Sequence, residues 1–247
     1  MKTLLIYGLL VFVLFFYLKP IEAVAIPADQ VAVLIKSWAI PMTSNQNSSF
    51  ALTSSFSGNE IYYVDSDSNK IGRLVPETNT ITEWDIPTAN SFPISIAYHP
   101  SGNVYFIEDN SNKIGRLVPE TNTITEWTIQ SNSTNIKSMA LGFAGNEEIY
   151  YVDSDSNKIG RIAPATNLVT EWDIPTANSF PISVKFDRAT GNVYFLESNS
   201  NTIGRLGPFS SQITEWKLPE KPFDIEVDSA GSIHYIDVKG TKIVRMD

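Results

Sequence analysis

The sequence has no cysteine in its 247 residues. That excludes a disulfide framework, a thiolate zinc site and a thiol nucleophile, so stability must come from packing and topology. Histidine is nearly as scarce: His99 and His234 stand alone, which leaves few groups for general-base chemistry near neutral pH. Cationic side chains are outnumbered, 18 Lys and Arg against 27 Asp and Glu, for a net charge of −9. An acidic chain without a basic patch repels phosphate backbones, so nucleic acid is not an expected partner. With 13 Gly and 14 Pro the composition is neither collagen-like nor of low complexity. Helical periodicity is missing too, since nowhere in the body does a 3.6-residue pattern last three turns.

What is present begins with an apolar run from Leu4 to Leu18, behind Met1-Lys2 and ahead of Lys19-Pro20-Ile21-Glu22-Ala23-Val24-Ala25. A charge, an apolar core and small residues at Ala23 and Ala25 read as a secretory signal, residues 1–25, cleaved after Ala25. The alternative is an uncleaved membrane anchor through residues 4–18, short of the roughly 20 residues that a span needs. On either reading residues 26–247 are expected outside the cytoplasm, secreted or at the cell surface. Without residues 1–25 the balance is 16 cationic against 26 anionic side chains, a net of −10.

The body repeats itself. "NKIGRL" or a near copy occupies Asn69–Leu74, Asn112–Leu117, Asn157–Ile162 and Asn201–Leu206, with a worn version at Thr241–Met246. "ITEW" or a relative ends at Trp84, Trp127, Trp172 and Trp216, in steps of 43, 45 and 44 residues. A period near 44 suits a four-stranded propeller blade. In the second unit strand a is Ile94–Tyr98, b is Asn103–Ile107, c is Lys113–Val118 and d is Ile124–Ile129. Each is rich in β-branched and aromatic residues, and turn formers lie between them. Strand b is apolar on both faces (Tyr62 and Val64, Ile61 and Tyr63), so both faces must be covered. Radial stacking of blades does this, and so does a linear solenoid with altered end caps.

The chain ends favour the ring. After Trp216 come Phe223–Val227, Ser232–Ile236 and Lys242–Met246, strands a, b and c, and the chain stops where d should begin. Near the front, Val31–Ile40 reads "VAVLIKSWAI", with Trp38 in the tryptophan position, 46 residues before Trp84. The expectation is an all-β, five-bladed propeller, residues 26–247, closed by this front strand beside Lys242–Met246 and monomeric.

The repeated residues divide into structural and chemical sets. The tryptophans are read as packing between blades rather than a ligand-stacking ring. Gly72, Gly115, Gly160 and Gly204 inside strand c imply close approach of a neighbour's bulk, with a tryptophan as the candidate. Arg73, Arg116, Arg161, Arg205 and Arg245 are expected to pair with acids such as Glu83 or Glu126, or with a neighbouring blade, rather than to bind an anion. Asp65, Glu108, Asp153, Glu197 and Asp237 end strand b in all five units. Such carboxylates either cap the b–c turn or form a wreath that attracts Mg²⁺ or Ca²⁺. "DSDSNK" at Asp65–Lys70 and Asp153–Lys158 resembles the front of a calcium loop, but it lacks the glycine and the closing acid and reads better as a hairpin turn. His99 lies in a turn. His234 fills the slot of Tyr62, Tyr105, Tyr150 and Tyr194, so it is a core substitute or a weak catalytic candidate. Asn47-Ser48-Ser49 and Asn132-Ser133-Thr134 are glycosylation sequons.

"SFPISIAYHPSGNVYFIEDNSNKIGRL" and "NTITEWDIP" resemble the repeats of the virginiamycin B lyase (streptogramin lyase) family over residues 31–247. That resemblance implies a propeller, seven-bladed in known lyases, which opens a cyclic depsipeptide by elimination with a histidine base and Mg²⁺ near glutamates. The histidine position just after a proline at the head of strand a corresponds to Ile94, Ile182 and Phe223, and to Phe50 and Lys137 in the other units. None is histidine. Glu108 and Glu197 match the recurring acid at the end of strand b. The leading expectation is a non-catalytic binding propeller whose acidic mouth meets a cation, glycan, small molecule or extracellular protein. The alternative is a Mg²⁺-dependent lyase or lactone-cleaving enzyme with Asp237 or Glu197 as ligand and His234 as base. An envelope scaffold acting through loop residues is the third.

Overall fold

The computed structural model describes residues 36–41, 50–129, 135–142, 147–207 and 211–246. The chain divides into two units, residues 1–42 and 43–247. In the first, residues 36–41 form no strand or helix, and the Lys36 ammonium stands 5.0 Å from the centre of the Trp38 ring. The strand expected at Val31–Ile40 is thus not formed over its described part, and residues 31–35 lie outside the described residues. So do the signal, residues 1–25, and the sequon residues Asn47 and Asn132.

The second unit consists of antiparallel sheets whose strands follow chain order. The first sheet holds β1 (Phe50–Ser54), β2 (Ile61–Asp65), β3 (Lys70–Val75) and β4 (Thr80–Asp85). The second holds β5 (Pro93–Tyr98), β6 (Val104–Glu108), β7 (Lys113–Val118) and β8 (Thr123–Thr128). The third holds β9 (Ile136–Gly142), β10 (Glu148–Asp153), β11 (Lys158–Ala163) and β12 (Leu168–Asp173). The fourth holds β13 (Pro181–Phe186), β14 (Val193–Glu197), β15 (Thr202–Leu206) and β16 (Ile213–Lys217). The fifth has three strands among the described residues, β17 (Pro222–Val227), β18 (Ile233–Asp237) and β19 (Ile243–Met246).

Local chemistry fixes the hairpins. The asparagine that opens each "NKIGR" copy, Asn69, Asn112, Asn157 and Asn201, takes a left-handed backbone with φ between 51° and 58°, a conformation that asparagine tolerates better than most side chains. Its side chain does further work that the motif alone did not disclose. Asn69 donates Nδ2 to the carbonyls of Ile86 and Thr88 and accepts from the Ser91 amide at 2.8 Å. Asn157 repeats this set with Ile174, Thr176 and Ser179. The turn residue therefore also fastens the linker that leads to the next sheet.

Four apolar clusters fill the junctions between sheets one and two, two and three, three and four, and four and five. No cluster among the described residues joins the fifth sheet to the first. Exposure records the consequence. Ile243 is 77% exposed whereas its equivalents Ile71, Ile114, Ile159 and Ile203 are fully buried, and Leu52 is 66% exposed whereas Val184 and Ile225 are buried. The tryptophans follow the same rule. Trp84 and Trp127 are buried, and their indole N–H groups donate to Asn122 at 2.9 Å and Asn167 at 3.1 Å in the next sheet.

Two expectations are corrected by register. The strand-c glycines face the aromatic of strand b in their own sheet, not a neighbour's tryptophan: Tyr63 lies opposite Gly72, Phe106 opposite Gly115. A Cβ at Gly115 would stand 2.0 Å from the Phe106 ring. The arginines do not pair with Glu83 or Glu126, because successive side chains leave a strand on opposite faces. Glu83 is opposite Gly72, one residue from Arg73, and so projects from the other side. Arg73 and Arg161 instead reach Glu60 and Glu148 at 3.2 Å, while Arg116 reaches Glu147 beside the third sheet at 3.7 Å, the neighbouring-blade alternative. The guanidinium groups of Arg73, Arg116, Arg161 and Arg205 also cover the tryptophan ring of their own sheet, at 5.3–5.8 Å, a cation–π contact.

Candidate functional site

The first strands of all five sheets surround a central cavity of about 500 Å³, with Thr53, Tyr98, Met139, Lys185 and Glu226 among its walls. Lys185 and Glu226 form an ion pair of 2.8 Å within that wall. At this end the Arg188 guanidinium of the fourth sheet stands 5.9 Å from the Phe56 ring of the first.

The opposite mouth carries the residues singled out from the sequence. Strand a begins there, and its first residue faces the carboxylate that ends strand b. The pairs are Phe50 with Asp65, Pro93 with Glu108, Ile136 with Asp153, Pro181 with Glu197 and Pro222 with Asp237. All five carboxylates therefore sit at one end, one per sheet.

Immediately after these pairs the register slips in sheets two to five, and the extra residue is Ile94, Lys137, Ile182 or Phe223. A bulge leaves one residue unpaired and re-aims its side chain. These are the positions at which the family resemblance led us to expect a histidine, and they hold two isoleucines, a phenylalanine and a lysine. Lys137 and Phe223 are exposed, and Ile94 and Ile182 are half-buried. Upstream, Phe92 and Phe180 hold a left-handed backbone with φ 54°. That conformation is costly for a bulky side chain. It turns their carbonyls onto the b–c turns, where Asp109 and Ser198 donate their amides at 3.1 and 3.0 Å.

Each carboxylate is drawn into its own b–c turn. Asp65 and Asp153 accept the amides two and three residues on, as Asx turns. Asp237 accepts the Thr241 hydroxyl at 2.7 Å and two backbone amides, which hold it below the ordinary aspartate range. Glu108 and Glu197 accept the Ser111 and Ser200 hydroxyls at 2.9 and 3.0 Å. All five are buried, and the Oε1 atoms of Glu108 and Glu197 have no partner. Burial pushes the Glu108 carboxyl up to about 7. Burial and then the neighbouring Glu215 carboxylate push Glu197 up as well. Among the described residues no three His, Asp or Glu side chains gather closely enough to hold a metal ion. The five do not converge on one Mg²⁺.

The histidines lie elsewhere. His234 pairs in register with Glu226 and Arg245 in mid-strand, with Nδ1 3.8 Å from Asp228. His99 is buried in the turn between β5 and β6; its Nδ1 meets Ser101 Oγ at 2.8 Å and Glu147 at 3.2 Å, and its Nε2 faces the Gly142 carbonyl. Serine and acid share one ring nitrogen, so no relay to a nucleophile is built.

Comparison with known proteins agrees with this architecture. Virginiamycin B lyase from Staphylococcus aureus is 28% identical and superposes with a TM-score of 0.72 over 85% of this chain and 69% of that one. A catalytically inactive histidine-to-alanine variant of that enzyme, with quinupristin, matches equally well. A streptogramin B lyase is 24% identical, TM-score 0.69, over 80% of this chain and 64% of that one. A chain of a nidogen–laminin complex, 14% identical with a TM-score of 0.60 over 79% of this chain and 74% of that one, shares the β-propeller fold alone. No curated protein sequence matches. The pattern described as the virginiamycin B lyase family matches residues 28–247, every sheet of the molecule, and the chain belongs to that family.

Proposed function

We propose that this chain is an extracytoplasmic, non-catalytic member of its family that takes an apolar ligand at the mouth where the first strands begin. One observation carries the reading: the four side chains re-aimed by bulges are Ile94, Lys137, Ile182 and Phe223. None of the four can take a proton from carbon near neutral pH as an imidazole does, whereas three can bury apolar surface, at roughly 25 cal/mol per Å². Calorimetric titration with quinupristin is the test. The reading expects heat in the parent protein and its loss in an Ile94→Asp, Ile182→Asp double variant. Equal binding by both proteins would remove the mouth as the site.

Two parts of the reading rest on the sequence of the first unit, residues 1–42. The apolar run before Ala25 supports export. The strand-d pattern of Val31–Ile40 supports closure of the ring beside β19, where the fifth sheet has three strands. Deleting residues 26–41 is then expected to lower the melting temperature, and an unchanged melting point would contradict closure.

Family membership favours a second reading, a lyase in which His234 is the base. It requires a product that disappears in a His234→Ala variant.

A further inference from the structure

The wall of the central cavity contains a layer that register picks out. Opposite Tyr62, Tyr105, Tyr150, Tyr194 and His234 of the second strands stand Thr53, Ala97, Ala140, Lys185 and Glu226 of the first strands, one per sheet. All five line the cavity. In sheets two to five this layer lies three residues past the bulges, roughly 10 Å along strand a from the mouth. The layer is thus separate from the mouth.

Three of its positions are small and two are charged. Ala97 and Ala140 withhold bulk from the centre, and the cavity of about 500 Å³ falls in the range of small-molecule sites, roughly 300–1,000 Å³. On the side of the alanines the wall is apolar, with Ile96, Met139 and Leu141 from the second and third sheets. The other side is charged, and its signs are segregated. The fourth sheet and its first turn contribute the cations Lys185 and Arg188, and the fifth contributes the anions Glu226 and Asp228. Asp228 is held in place by the amides of Ala230 and Ser232, both at 2.9 Å. Lys185 Nζ and Glu226 Oε2 pair at 2.8 Å, with side chains 32% and 68% exposed. So open an ion pair contributes little to stability, and it can rearrange around a ligand at small cost.

We propose that this layer binds a free α-amino acid with an apolar side chain. Its carboxylate meets Lys185 and its ammonium meets Glu226, while its side chain lies over Ala97 and Ala140 against Ile96, Met139 and Leu141. Spacing decides for an amino acid over a peptide. Lys185 and Glu226 are in contact, and a ligand whose two charges share one carbon answers both at once, whereas the termini of a peptide are held apart. A fatty acid or an alkylamine would leave one of the two charges without a counter-ion.

The test is calorimetric titration of the full chain with L-leucine, L-methionine and L-phenylalanine, together with melting curves. One equivalent, and a melting point that rises with concentration, are expected with at least one of the three. Leucinamide, which lacks the carboxylate, and isocaproate, which lacks the ammonium, should each bind the same protein on the order of tenfold more weakly than leucine. Lys185→Met with Glu226→Gln removes both charges and strands neither, so this double variant should melt near the parent temperature and lose on the order of tenfold in affinity. No response to any of the three amino acids, undiminished binding by the double variant, or equal binding of leucine and its two truncated analogues would each overturn the proposal.

Discussion

Sheets one and three differ from sheets two and four by a single hydroxyl in the stack beneath strand d. In the odd sheets Tyr63 and Tyr151 donate that hydroxyl to Glu83 and Glu171 of their own sheet, at 3.1 and 2.9 Å. In the even sheets Phe106 and Phe195 have none to give, and Glu126 and Glu215 take the linker threonines Thr88 and Thr176 from the sheet before. An internal bond becomes a bond between sheets. The comparison teaches that the true repeat is a pair of blades, about twice the 44-residue period, with a stitched seam after blades one and three. The linker sequence "DIPTANSFPIS" recurs unchanged at residues 85–95 and 173–183, as a paired repeat requires.

The most damaging way to test the seams is to remove a buried tryptophan. Trp127→Ala should cost roughly 3–5 kcal/mol by chemical denaturation, since the ring is 5% exposed and its N–H bonds the third sheet. Trp216→Ala should cost distinctly less, because that ring is already 36% exposed. Equal losses would mean that the fourth junction is as tightly filled as the second.

Odd and even sheets should also separate by pH. Glu108 has its affinity for protons raised from 4.5 to about 7 in the folded state. A raised carboxyl stabilises fully below its unfolded value, and that contribution fades as pH climbs toward and past the folded value. The fold should therefore weaken between pH 5 and 8 by ~2–3 kcal/mol from this residue. Glu108→Gln should flatten that slope, and an unchanged slope in urea midpoints would contradict the burial argument. Overpacking comes next: Gly115→Ala forces the Phe106 ring from its seat and should cost about 1–3 kcal/mol, with partial rescue by Phe106→Leu. Smallest is Tyr63→Phe, which copies an even sheet into an odd one and should cost about 1 kcal/mol. A larger loss would mean that Glu83 finds no substitute donor.

The fold was legible because tryptophans spaced near 44 residues and strands apolar on both faces leave few architectures. Strand b shows why. Tyr105 and Ile107 enter one junction and Val104 and Phe106 the other, as alternation demands. What escaped the sequence depends on register. The glycine's partner and the arginine's acid each follow from which residues face one another, and the motif alone does not state that. The bulges at Ile94, Lys137, Ile182 and Phe223 were invisible too, since an extra residue changes direction without changing composition. The carboxylates end strand b as the repeat implies, but their burial was not foreseeable: Asp65 and Glu108 look equally able to face a channel until turn amides claim the first and the Ser111 hydroxyl the second.

Most direct is mass analysis of quinupristin held with the protein and Mg²⁺ over many hours. Intact macrocycle, with binding at the mouth, is the outcome expected of a propeller whose re-aimed side chains are Ile94, Lys137, Ile182 and Phe223. Ring-opened peptide that forms with this chain and vanishes when His234 is replaced would contradict it.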